Sequence, residues 1–220
     1  MNKLFIIGLP RTGTTSISVA LLQYNFKVAH TAFTKYAFEL ADVISDAPCF
    51  SDYKELDALF PGSKFVYLER DLDKWIPSAQ MLLQKMESRL HPQTGVFSPV
   101  LKRSFNQVFK LYSSPDLYTE EHLKDCYLKH KSEVLDYFTG RNDLISINIS
   151  HQDSLPRLIE FLGLSIEGRT LFPHLNQGRH VAGWKEFKHP NKVNANSAGV
   201  ERRKFFDYHT EQLKIQPLSL

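Results

Sequence analysis

The chain has 220 residues, 42% hydrophobic and 12% aromatic, which is long enough for a single well-buried domain over residues 1–220 and short for two. A net charge of +3 suits an anionic ligand but carries no sign of nucleic-acid binding. Only two cysteines, Cys49 and Cys126, exclude a disulfide framework and point to a reducing compartment.

In chain order, the opening apolar run Leu4 to Ile7 is too short for a signal peptide or a membrane anchor. A cytoplasmic protein without stable membrane insertion is therefore expected. The run reads as a strand, passes through the glycine loop GLPRTGTT and enters a helix over 14–24. Strands are predicted at 27–29, 43–44, 64–68 and 144–148, the 64–68 strand being marked by the Pro61-Gly62 turn before it. Helices are predicted over 53–60, 72–85, 101–111, 120–138 and 155–162. The tract 89–99, with two prolines and a glycine, reads as a loop or lid, and 174–199, rich in Asn, Gly, His and Lys, as a binding loop. Strands alternating with helices give the expected fold class, a three-layer α/β/α domain with a mainly parallel central sheet.

The glycine loop carries the first chemical signal. After a strand, GLPRTGTT can turn successive backbone N–H groups toward one anion, with the positive end of the next helix behind them. Arg11, Thr12, Gly13, Thr14, Thr15 and Ser16 are the candidate anion-binding residues. A nucleotide kinase would place lysine where Thr14 stands, to bridge the transferred phosphates. A tyrosine phosphatase would place its cysteine where Phe5 stands.

The loop resembles the 5′-phosphosulfate loop of sulfotransferases that use 3′-phosphoadenosine 5′-phosphosulfate (PAPS). Lysine is the common loop cation in that family, and an arginine at the place of Arg11 is a variant of its motif. Sulfuryl transfer moves a less charged group than phosphoryl transfer. A mid-loop cation with backbone N–H groups therefore suffices to stabilise the departing phosphate, and no metal is expected.

A second stretch, KFVYLERDLDKWIPSAQ, is a strand, then Arg70, then a helix carrying Ser78 eight residues on. It resembles the family's 3′-phosphate site. Two such sites on neighbouring strands suit a ligand with phosphates at both ends; PAPS is one and ATP is not. The resemblance extends to HKSEVLDYFTGRNDLISINISHQDSLPRLIEFLGL and to FPHLNQG, and implies a P-loop-like sulfotransferase fold. The arginine-lysine-glycine loop that closes over the 3′-phosphate in cytosolic members is absent. Arg179, Lys185 and Lys192 are the candidates for its role, with Arg179 taken as the cofactor-binding one. The family's tryptophan after the first loop is also replaced, by Ile17, so adenine stacking has to come from elsewhere.

Transfer to an acceptor hydroxyl or amine needs a base. His30, after the second strand, is at a carboxyl strand end where open α/β sheets bind ligands, and its ordinary pKa suits the work. Asp46, after the third strand, is a second candidate, and Glu39 a third. The acceptor class stays open among small molecules, glycans and lipids, as does the oligomeric state. The alternatives are a P-loop nucleotide kinase and a non-catalytic binder of 3′-phosphoadenosine 5′-phosphate (PAP).

Overall fold

The structure is a computed structural model and describes residues 3–166, 170–173, 183–200 and 205–206. Five strands, β1 (Leu4–Ile6), β2 (Val28–His30), β3 (Val43–Ser45), β4 (Lys64–Glu69) and β5 (Leu144–Asn148), form one parallel sheet in the order β2-β3-β1-β4-β5. Leu4 lies opposite Val43 on one side and Lys64 on the other.

Alternation along β1 shows how both faces are covered. Leu4 and Ile6 pack with Ile17, Leu21 and Leu22 of α1 (Thr14–Gln23) and with Leu155, Leu158 and Ile159 of α7 (Ser154–Leu162). Phe5 and Ile7 pack on the opposite face, with α2 (Lys35–Leu40), α3 (Cys49–Leu59) and α6 (Glu120–Tyr137). A parallel sheet buried on both sides reads as continuous apolar runs, which is what Leu4 to Ile7 and Phe65 to Leu68 are. The architecture is the expected three-layer α/β/α fold.

A third cluster lies beyond the carboxyl strand ends. It joins Leu9, Phe33 and Ala47, each a few residues past β1, β2 or β3, to Trp75, Ile76 and Leu83 of α4 (Leu72–Leu90), Phe105 and Phe109 of α5 (Pro99–Phe109), and Tyr127 of α6. These helices wall one side of the edge where ligands bind in open sheets. No described helix is long and apolar enough to cross a membrane.

The elements differ from expectation mainly at their ends. The six-residue α2 is too short to show helical periodicity; Thr34 caps it, its hydroxyl accepting from the Ala37 N–H at 3.1 Å. Helix α3 starts at Cys49 rather than Tyr53 and is kinked at Asp52 (φ −116°, ψ 22°). The fully buried Asp52 carboxylate accepts two bonds from Arg103 of α5, at 2.8 and 2.7 Å, an ion pair that ties the kink to its neighbour. Helix α4 runs on to Leu90, so the tract predicted as loop from residue 89 begins inside a helix. At its other end α5 starts at Pro99, with the Ser98 hydroxyl accepting from Leu101 N–H at 3.1 Å.

Candidate active site

The glycine loop links β1 to α1, and its shape follows from two positions without side chains. A Cβ on Gly8 would stand 2.5 Å from Leu68 Cβ and 2.8 Å from Leu68 N, so only glycine lets the exit of β1 lie against β4. Gly13 has φ +109° and a Cβ there would collide with the Ile149 side chain. Arg11 is also left-handed, at φ +73°. The loop carbonyls are held from behind. Leu9 O accepts from the Thr12 hydroxyl at 2.7 Å, Pro10 O from Trp75 Nε1 at 2.9 Å, and Arg11 O from Arg70 Nη1 at 2.6 Å. What remains at the mouth of the loop is the first turn of α1, whose N–H groups have no carbonyl within the helix to meet.

The second motif arrives from β4. Tyr127 of α6 clamps the Arg70 backbone: its hydroxyl accepts from Arg70 N–H at 2.9 Å and donates to Arg70 O at 3.0 Å. Ser78 lies two turns into α4, and its Oγ accepts from Arg11 Nε at 2.7 Å. The two sequence motifs therefore meet on Arg11, through its side chain to Ser78 and its carbonyl to Arg70. Burial pushes both guanidinium groups below their usual pKa, and for Arg11 the charge of Arg70 adds to the effect while Asp46 opposes it. Both remain cations, as guanidinium groups in proteins do. Two close, half-buried positive charges form a preset field for an anion.

Arg11 and Arg70 line a cavity of about 580 Å³ that also takes in Thr12 to Ser16, His30, Asp46, Lys74 and residues 148–150; Ser78 does not line it and meets it through its bond to Arg11. His30 is the last residue of β2 rather than the first after it, and pairs in register with Ser45 of β3. Its Nδ1 is 2.8 Å from Ser45 Oγ, while Nε2 is 3.4 Å from the Thr15 hydroxyl and 3.6 Å from Asp46 Oδ2. Asp46 has φ +61°; its Oδ1 accepts from Ala47 N–H at 2.9 Å and its Oδ2 from the Thr14 hydroxyl at 3.4 Å. Burial lowers the His30 pKa from its ordinary 6.5, Asp46 opposes the shift and Lys192 adds to it. The imidazole is thus neutral near pH 7, beside a carboxylate able to share a proton's charge.

Among the described residues, the candidates Glu39, Lys185 and Lys192 do not line the cavity. Glu39 on α2 faces Lys35 at 3.9 Å and does not line it. Lys192 Nζ donates to Trp184 O at 2.5 Å and Phe187 O at 2.7 Å, and lies 4.4 Å from the centre of the Trp184 ring. Its charge holds residues 184–192 together beside β2, where Val193 N–H donates to Val28 O at 2.9 Å. Lys185 is exposed and Arg179 lies outside the described residues. The sequence reading missed residues 148–150, Lys74, Tyr127 and Ser45. The rule that ligands gather at carboxyl strand ends, applied to β5, points to 148–150; the other three are placed by tertiary packing.

The family profile described as "Sulfotransferase domain" matches residues 32–181, well over half of the chain. The chain belongs to the sulfotransferase-domain family. The match begins downstream of the glycine loop and includes Arg70 and Ser78, so the second motif lies within it and the first does not. Membership of this family favours sulfuryl transfer over the nucleotide-kinase alternative. Among solved structures, a sulfotransferase from Alicyclobacillus acidocaldarius is 16% identical over 87% of each chain, with a TM-score of 0.47. No curated protein matches the sequence.

Proposed function

We propose that this sulfotransferase-family domain moves the sulfuryl group of PAPS to a hydroxyl or amine of a small-molecule, glycan or lipid acceptor, with His30 as the base. The observation that carries the reading is the convergence on one cavity of Arg11, held by Ser78, and Arg70 with His30 Nε2 and Asp46. The donor set fits the nucleotide: Gly8 and Gly13 leave backbone where a side chain would intrude, and cations and hydroxyls face the same space.

Residues 11–16 would hold the 5′-phosphosulfate, and Arg70 with Ser78 the 3′-phosphate. Ser78 Oγ, which accepts from Arg11, keeps its own proton to donate to a ligand. The donor supplies an activated sulfuryl group, whose sulfur–oxygen bond to the 5′-phosphate breaks as the bond to the acceptor forms. Arg11 meets the negative charge that grows on that phosphate, so it interacts more strongly with the transition state than with the bound donor. His30 Nε2 takes the acceptor's proton, and Asp46 offsets the charge that the ring then carries.

A screen of sulfuryl transfer from radiolabelled PAPS into phenol, sugar, lipid and amine acceptors tests this reading. Arg11→Ala should cut turnover roughly 10²–10³-fold, the scale of losing one charge-stabilising donor, with a smaller loss of PAP affinity. Arg11→Lys should keep part of the activity, because charge survives and the two-pronged contact does not. Near-normal transfer by Arg11→Ala would contradict the assignment.

A further inference from the structure

Two serines behind His30 have no place in the reaction as written, yet both are buried completely. Ser18 is on α1 and Ser45 is the last residue of β3, among Val43, Ile44 and the apolar side chains of α1. A buried hydroxyl without partners is costly, and alanine would fill either position with less. The bonds they make form one chain, and each hydroxyl has a single proton to give.

The direction of that chain is fixed at its far end. Ser18 Oγ is 2.6 Å from Thr14 O, and a carbonyl can only accept, so the Ser18 proton goes there. At 2.8 Å from Ser18 Oγ, Ser45 therefore has to be the donor. With its proton used, Ser45 Oγ can only accept from His30 Nδ1, also at 2.8 Å. In the neutral ring a proton on Nδ1 leaves the lone pair on Nε2, the nitrogen that faces Thr15 and Asp46 in the cavity.

We infer that Ser18 and Ser45 are positioning residues that hold His30 as the Nδ1–H tautomer and so make Nε2 the proton acceptor. The inference rests on the proposed role of His30 as base. Asp46 pulls the other way, since a carboxylate would favour a proton on Nε2. Its Oδ2 is 3.6 Å away, however, beyond hydrogen-bond length, whereas the serine contact is at 2.8 Å. Once Nε2 has taken a proton the conflict disappears: the ring donates to Ser45 through Nδ1 and faces Asp46 through Nε2. Asp46 thus favours the protonated ring without blocking the neutral one. The charged groups acting on the ring are Asp46, after β3, and Lys192, in the C-terminal segment; Thr15 of α1 and the Trp184 ring, 5.4 Å away between centres, are its uncharged neighbours.

The test is the tautomer itself, read from the ¹⁵N shifts of the His30 ring in the ligand-free protein above pH 7. The wild type should show the Nδ1–H form. Ser18→Ala frees the Ser45 hydroxyl to turn and donate to Nδ1, which moves the proton to Nε2; Ser45→Ala removes the Nδ1 partner and leaves Asp46 to choose, with the same result. Both variants should lose sulfuryl transfer by roughly tenfold to 10²-fold, a part of the full contribution of a general base, with PAP affinity within about twofold of wild type by the same estimate. A wild-type ring already in the Nε2–H form, or an unchanged tautomer in both variants, overturns the inference whatever the activity. A shifted tautomer with undiminished transfer leaves the serine chain standing and removes His30 as the base.

Discussion

His130 is buried and His30, at the cavity wall, keeps 13% of its side chain exposed, and loss of solvent pushes both rings below the ordinary 6.5, His130 to about 4. They differ in what their nitrogens meet. His130, on α6, has Nε2 2.7 Å from Phe50 O, an acceptor, so that nitrogen carries the proton. Its buried Nδ1 has no hydrogen-bond partner among the described residues. The rings of Tyr53 and Tyr67 flank it, centred 6.2 and 5.7 Å away. His30 has both nitrogens engaged, a serine at one and a carboxylate facing the other across the cavity. Desolvation alone produces a neutral histidine. A base also needs access to a reacting group and a neighbour ready to take up the charge; of these two histidines, His30 is the one that lines the cavity with Arg11 and Arg70 and has a carboxylate beside Nε2.

The largest effect that sharpens this contrast is on turnover. His30→Gln should lower sulfuryl transfer roughly 10²–10⁴-fold, the range for losing a general base. His130→Gln, which keeps a donor for Phe50 O, should leave turnover near wild type. Comparable losses in both would mean that His30 acts through packing. If His30 is the base as proposed, kcat of the wild type should rise with pH and level off, with a midpoint below 6.5, because the neutral ring would be the active form and its pKa is lowered.

A smaller effect reverses the ranking of the two residues. Between the unfolded value near 6.5 and the folded value of about 4, the unfolded chain holds a proton on His130 that the folded chain does not. Stability therefore falls as pH drops through that window, by roughly 3 kcal/mol at its foot at about 1.4 kcal/mol per pKa unit. Denaturant unfolding at pH 7 and pH 4 should show that His130→Gln removes more of this loss than His30→Gln, since Asp46 offsets part of the burial effect on His30. A pH dependence unaltered by His130→Gln would contradict the account of its burial.

What could be read from the sequence follows the same division. The glycine loop and the junction after β4 were legible because each encodes a local need: glycine at Gly13 for a positive φ, and an arginine at a strand tip followed by a helix. The fold class was legible from the alternation of short apolar runs with helices. The six residues of α2 and the kinked start of α3 were not, because tertiary bonds rather than periodicity define them. Nor could spacing reveal that Trp75 holds Pro10 O, that Tyr127 clamps Arg70, or that Ser18, Ser45 and His30, from three elements, form one hydrogen-bonded chain. His30 and Asp46 were legible as residues at strand ends; their mutual geometry was not.

The most direct test of the central claim, that the cavity is built for a nucleotide with phosphates at both ends, needs no acceptor. Calorimetric titration of the wild-type protein with PAP and with AMP, repeated on Arg70→Ala, isolates the 3′-phosphate. Losing a charge-assisted contact of about 1.5–3 kcal/mol corresponds to roughly tenfold to 10²-fold in Kd. The wild type should therefore prefer PAP by about that factor, and Arg70→Ala should bind the two nucleotides alike. Equal affinity for PAP and AMP in the wild type, or a preference that survives Arg70→Ala, would contradict it.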